Sequence, residues 1–338
     1  MNDSEPTLLH IEQLQKHYPV RGGLFGTRQG LVRAVNGLDL NLRQGETMGL
    51  VGESGCGKST LARLVLGLEA PTTGTLLLKS KPLHQWGQPE LRRTVQMIFQ
   101  DPYSSLNPRW KIGSIVREPL DILGQGPASE RKDKAARILE RVGLRPDDLA
   151  RYPHEFSGGQ RQRVAIARAL APEPELVVCD EPVSALDVSI RAQVLNLLHE
   201  LQQDFGLTYL FISHDLSVIG HLCDRVAVMY LGRIVELASR QNFFIAPLHP
   251  YARALLTAVP VADPTATIRP MPLRGDLPSP LNPPQGCSFH PRCPHCMEIC
   301  TRETPLLQKK TTGHSVACWL HQSPPTSHSP TPNRRNDK

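Results

Sequence analysis

Short apolar runs rich in β-branched residues punctuate the first two thirds of the chain. They are ETMGLV (46–51), TVQMIF (94–99), ELVVC (175–179), LTYLFIS (207–213) and RVAVMYL (225–231). Bounded by polar turns, each reads as a strand. A Gly-Arg pair then turns the last run into IVELA, which predicts a hairpin. Between the runs, helical patterns cover 59–67, 128–143, 157–171 and 190–204. Strands alternating with helices over residues 7–240 predict an α/β domain. The basic, glycine-containing stretch 19–34 fits neither period and is read as a surface loop.

Beyond residue 240 the pattern stops. Pro247, Pro250, Pro260, Pro264, Pro270, Pro272, Pro278, Pro280, Pro283 and Pro284 exclude long helices and central strands there. Residues 241–321 therefore form a loop-rich appendage that ends in a cysteine-bearing stretch, GCSFHPRCPHCMEIC. The last segment, 322–338, has the composition of a disordered tail. No internal repeat is present.

Composition narrows the class only a little. With 338 residues and 40% hydrophobic content the chain can bury a sizeable core. A net charge of +6 permits contact with phosphates or a membrane surface without demanding either. The acidic start lacks the apolar core of a signal peptide, and no window approaches the roughly 18 apolar residues of a membrane span. The expectation is a soluble, cytosolic protein whose thiols stay reduced, which argues against a disulfide framework.

The chemistry is concentrated in three motifs. In GLVGESGCGKSTLARLVLG, the pattern G-x-x-x-x-G-K-[ST] falls on Gly52, Gly57, Lys58 and Ser59, after a strand and at the start of a helix. Backbone N–H groups from Gly52, Glu53, Ser54, Gly55, Cys56 and Gly57 through Thr60 can wrap phosphates, aided by the helix N-terminus. Lys58 is placed to reach the β- and γ-phosphates and Ser59 to ligate Mg²⁺. ELVVCDEP delivers Asp180, suited to Mg²⁺, and Glu181, suited to polarising an attacking water. His214, at the end of a third apolar run, is within reach of the same chemistry in this setting. Cys56, Cys179 and Cys223 read as small packing residues.

A fourth stretch, FSGGQRQRVAIARAL, opens on Ser157 and Gln160, a capping box for a helix over 158–170, with Gly158 and Gly159 leaving N–H groups open to an anion. It resembles the LSGGQ signature of ABC-transporter ATPases, with Phe156 in place of leucine. The other motifs follow in that family's order: Gln100 of IFQDP as the Q-loop, Ser184, Ala185, Leu186 and Asp187 as the D-loop, and His214 as the switch histidine. Tyr18 matches the aromatic that stacks on adenine. The resemblance implies a RecA-like core with an antiparallel β subdomain and a helical insertion at about 101–165, binding ATP and Mg²⁺ through Ser59, Gln100 and Asp180.

It further implies a head-to-tail pair of ATPase domains, each signature closing on the other's ATP. The chain carries one set of motifs, so a second subunit or a second copy is required. HYPVRGG, FQDPYSSLNPR, EPVSALDVSIRAQVLNLL, HPYARALL and LPSPLNPPQGC resemble the F-type ATP-binding subunits of dipeptide and oligopeptide importers. That resemblance implies a D-type ATPase partner, two transmembrane permease subunits met by Gln100 and residues 113–123, and a periplasmic or extracellular substrate-binding protein. It implies a place on the cytoplasmic face of a bacterial inner membrane and no nucleic-acid partner. Nickel, glutathione, murein peptides or cationic peptides remain open as cargo. A non-transport ABC ATPase of DNA repair or translation is the alternative from another class; the chain lacks the coiled-coil insertions and the second cassette typical of those.

The cysteines alone leave zinc, iron–sulfur ligation and plain reduced thiols open. The importer resemblance points to a [4Fe–4S] cluster on Cys287, Cys293, Cys300 and Cys318, with Cys296 as a surplus thiol.

Overall fold

The computed structural model describes residues 6–22, 27–258 and 275–323. The prolines at 260–272 and the expected tail beyond residue 323 lie outside the described residues. In chain order the strands are β1 (Thr7–Gly22), β2 (Thr27–Arg43), β3 (Thr47–Val51), β4 (Thr73–Leu78), β5 (Lys81–Pro82) and β6 (Val95–Ile98). They continue with β7 (Leu176–Asp180), β8 (Thr208–Ile212), β9 (Arg225–Tyr230), β10 (Arg233–Ser239), β11 (Gln308–Thr311) and β12 (His314–Val316). The helices are α1 (Lys58–Val65), α2 (Gln88–Thr94), α3 (Pro102–Ser105), α4 (Ile112–Ile122), α5 (Ala128–Arg141) and α6 (Gly158–Leu170). After them come α7 (Val188–Phe205), α8 (Leu216–Leu222), α9 (Arg240–Ile245), α10 (Pro250–Thr257) and α11 (Glu298–Arg302).

One sheet runs β11-β12-β10-β9-β3-β8-β7-β6, with β9, β3, β8, β7 and β6 parallel. Its two faces are packed by alternate residues. Met48, Leu50, Leu210 and Ile212 join a core with α1 and the antiparallel sheet β2-β1-β4-β5. Val177, Tyr209 and Phe211 join the core formed with α6 and α7. Burial on both faces is what makes these strands continuous apolar runs in the sequence. Helices α3 to α6 sit between β6 and β7, with Ile115, Val116, Leu139 and Val164 buried among them.

Residues 19–22 and 27–34 are strand rather than loop, and residues 23–26 lie outside the described residues. β1 and β2 pair through Pro19↔Leu31 and Val20↔Gly30 to Gly22↔Thr27. β4 pairs β1 only from Leu9 to Gln15, so Pro19 lies where β2 alone flanks β1. A proline is tolerated at such an edge, and here it masked a strand.

The C-terminal residues also contribute to the sheet. β12 pairs antiparallel with β10, and β11 with β12. The joint is Glu236, fully buried in β10. Its carboxylate accepts from the Leu248 and His249 backbone N–H groups (2.9 and 2.6 Å) and from His314 Nε2 (2.8 Å). His249 then caps α10, its Nδ1 accepting from the Tyr251 N–H at 3.1 Å.

Buried against Phe289, with His321 nearby, the His249 imidazole has its pKa pushed down from 6.5 to about 3, first by desolvation and then by His321. The unfolded chain therefore takes up a proton below pH 6.5 that the folded chain refuses. This contribution is complete above pH 6.5 and is lost as pH falls towards 3, at about 1.4 kcal/mol per unit. The His249→Asn variant keeps a capping side chain and should lose this slope. Thermal unfolding at pH 7.5 and 5.5 checks it, the wild type falling further than the variant.

Candidate nucleotide site

Four neighbouring parallel strands end on one edge and deliver the site. The phosphate loop follows β3, His214 follows β8, Asp180 and Glu181 end β7, and Gln100 follows β6. The carboxyl edge of a parallel sheet is where such folds bind ligands. A cavity of about 640 Å³ opens there, lined by Ser54, Gly55, Gly57, Lys58, Ser59 and Thr60 of the loop, by Gln100, Asp180, Glu181 and His214, and by Val32, Ala34, Arg63 and Pro280.

The loop is shaped by close approach. A Cβ on Gly57, at φ +113°, would lie 2.1 Å from Ala34 O, and one on Gly52 would lie 2.3 Å from Met229 O. Only glycine fits either place. Lys58 Nζ donates to Gly52 O and Glu53 O at 2.7 and 3.0 Å, which holds its ammonium under the curl of the loop. Cys56 is buried beside Gly52, and burial raises its pKa, so it packs as a neutral thiol.

Glu181 is held from both sides. Gln100 Nε2 donates to its Oε2 at 2.9 Å, and His214 Nδ1 is 2.8 Å from its Oε1. Its backbone lies in the left-handed region, φ +49°, fixed by its N–H donating to Ile212 O at 2.9 Å. Such strain in a non-glycine residue persists where the surroundings enforce it. Burial raises the Asp180 pKa, with Glu181 adding to it, while Lys58 and the Ser59 hydroxyl that bonds its carboxylate oppose the rise.

Other expected site residues lie elsewhere. Tyr18 pairs with Val32 across the strands but does not line the cavity, and its hydroxyl donates to Glu69. Ser157 and Gln160 form the reciprocal capping box at the start of α6. A Cβ on Gly159 would meet Ile190, and one on Gly158 would touch Leu186, so the signature packs on the D-loop. Within that loop Ser184 Oγ donates to Glu181 O at 3.0 Å, while Ala185 and Asp187 are exposed. Neither the signature nor the D-loop lines this cavity. Glu53 does not line it either.

The [4Fe–4S] expectation is overturned. Among the described residues no three His, Cys, Asp or Glu side chains are grouped to hold a metal ion, which removes zinc as well. All eight cysteines are free. Cys300 and Cys318 are buried, while Cys287 and Cys293 pack against the core beside Phe289. Burial pushes the Cys287 and Cys318 thiols up to about 12 and 11, with neighbouring cysteines adding to the rise. Backbone contacts hold the segment instead: the Cys287 N–H donates to Cys300 O at 2.8 Å, and Gly286 turns at φ +69°.

Arg63, Val32, Ala34 and Pro280 line the cavity without any signal in the sequence. None has a motif, because each reaches the cavity only through packing of the hairpin, α1 and the C-terminal region.

Family models for "ABC transporter" and "Oligopeptide/dipeptide transporter, C-terminal region" match residues 35–184 and 235–300. The chain is 50% identical over 324 residues to the oligopeptide transport ATP-binding protein AppF of Bacillus subtilis, covering 94% of this chain and 98% of that one. It is also 50% identical over 318 residues to the dipeptide transport ATP-binding protein DppF of Haemophilus influenzae, covering 92% and 96%. Among solved structures, cbiO1 of Clostridium perfringens superposes with a TM-score of 0.62 at 29% identity, over 72% of this chain and 92% of that one. The ATP-binding cassette MJ0796, in a dimeric post-hydrolysis state with ADP and phosphate, gives 0.60 at 28% identity, over 69% and 98%. The chain belongs to the ATP-binding subunits of oligopeptide/dipeptide ABC transporters.

Proposed function

We propose that the chain binds ATP in this cavity and hydrolyses it to drive import of di- and oligopeptides through a membrane permease. The observation that carries this reading is Glu181, aimed at the cavity and gripped by Gln100 and His214. Phosphoryl transfer to water asks for a positioned nucleophile and neutralised phosphate charge. Glu181 orients the water and accepts its proton, while His214 holds the carboxylate and faces the γ-phosphate. Lys58 and the loop N–H groups bind the β- and γ-phosphates. Ser59, Asp180 and Gln100 offer the hard oxygen donors that suit Mg²⁺. That ion would offset charge developing on the phosphates.

The signature and D-loop, on a separate exposed surface, are free to close on the ATP of a second ATPase subunit. Among the described residues no helix is long and apolar enough to cross a membrane. In this reading the chain meets the membrane through the permease, at its cytoplasmic face. A groove of about 410 Å³ lies between Leu68, Met97 and Phe99 on one side and Pro119, Ile122 and Leu123 of the insertion on the other. Ile122 is 76% exposed and Phe99 44%, an apolar surface beside the Q-loop suited to the permease. Ile122→Asp puts a charge into that contact and should weaken association at least about 10-fold. Co-purification of the variant with the permease, together with ATP hydrolysis stimulated by the peptide-loaded binding protein, checks this. Undiminished association and stimulation would move the docking site elsewhere.

A further inference from the structure

We propose that Arg292 and Tyr251, which lie outside every nucleotide motif, position the phosphate loop, so that the cysteine-bearing C-terminal region is a working part of the ATP site. The inference rests on the ATP-site reading above. Glu53 is the first residue of the loop after Gly52, and it is fastened twice. Its backbone N–H donates to Tyr251 Oη at 2.8 Å. Its carboxylate accepts from Arg292 Nη1, 2.9 Å to Oε1 and 3.1 Å to Oε2. Arg292 is only 8% exposed, and the same Nη1 is 3.4 Å from Tyr230 Oη. Tyr230, Tyr251 and Phe289 form an aromatic block behind the loop, with ring centroids 4.7 to 5.5 Å apart.

Glu53 is thereby turned out of the cavity, while the next residues, Ser54 and Gly55, line it. Anchoring one residue by both backbone and side chain fixes the direction of the amides that follow, and those amides cradle the phosphates. The ion pair has a second effect. A carboxylate at the edge of a polyphosphate site repels its ligand, and Arg292 cancels that charge at contact distance. The same C-terminal region reaches the cavity again through Pro280, whose carbonyl accepts from the Arg33 N–H at 3.0 Å.

The two effects predict a loss graded by phosphate number, which a purely structural staple would not produce. Affinities for ATP, ADP and AMP are measured by calorimetry on the full-length chain, alongside thermal unfolding. For Arg292→Met, ATP binding weakens about 10-fold, ADP binding less, and AMP binding by under about 2-fold. Tyr251→Phe keeps the ring packing and removes one acceptor, weakening ATP binding about 3-fold. The Glu53→Gln/Arg292→Met double variant binds ATP no more weakly than Arg292→Met, since the two groups act as one pair. If Arg292→Met does not fold, Tyr251→Phe and Arg292→Lys carry the comparison.

Wild-type ATP affinity in the variants, or equal losses for ATP and AMP, overturns the inference while leaving the ATP site in place. A wild-type chain that binds no ATP overturns the ATP-site reading and this inference with it.

Discussion

Glu181→Gln is expected to bind ATP as tightly as the wild type and to hydrolyse it at least about 100-fold more slowly. Glutamine keeps the length and shape of the side chain, so the loop, Lys58 and Asp180 are undisturbed. It has one acceptor oxygen where glutamate has two. The wild-type carboxylate accepts from Gln100 Nε2 and lies 2.8 Å from His214 Nδ1. An amide at that place satisfies one neighbour and presents an N–H₂ to the other, and it cannot take a proton from water. ATP then stays bound, and the closed pair of subunits accumulates. Single-turnover hydrolysis and nucleotide retention check this. Hydrolysis within a few-fold of wild type would remove Glu181 from the water-positioning role.

Glu236→Ala should have the largest effect on stability, about 3–5 kcal/mol. The carboxylate is buried and accepts three hydrogen bonds, from His314 and from the Leu248 and His249 N–H groups. Its removal takes the acceptor from two backbone N–H groups and an imidazole N–H at once. The damage falls on the joint between β10, β12 and α10, so residues 285–321 should become sensitive to protease at lower temperature than the ATPase core. Thermal unfolding and limited proteolysis test both statements. An unchanged unfolding temperature would mean that the joint is held by the β10–β12 pairing alone.

The site was legible because its parts are local. Gly52 to Ser59 and Asp180 with Glu181 are short stretches whose chemistry depends on neighbouring residues in the chain; Ser157 to Gln160 is equally local but lies off the cavity. The central strands were equally plain, since burial on both faces leaves uninterrupted apolar runs. What stayed hidden depends on distance or on context. Pro19 and Gly22 read as loop formers, yet β2 supplies the pairing that makes residues 19–22 a strand. Glu53 and Arg292 are 239 positions apart, and no local pattern joins them. The cysteines misled in the opposite direction. The importer resemblance suggested ligands, but among the described residues no three possible ligands are grouped to hold a metal ion, and backbone hydrogen bonds fix the segment.

Uptake of labelled di- and tripeptides is the most direct measurement, in cells lacking this chain and complemented with either the wild type or Glu181→Gln. Uptake is expected to be lost with the chain, restored by the wild type and not restored by the variant. Uptake of both peptides unchanged by loss of the chain would contradict peptide import as its function.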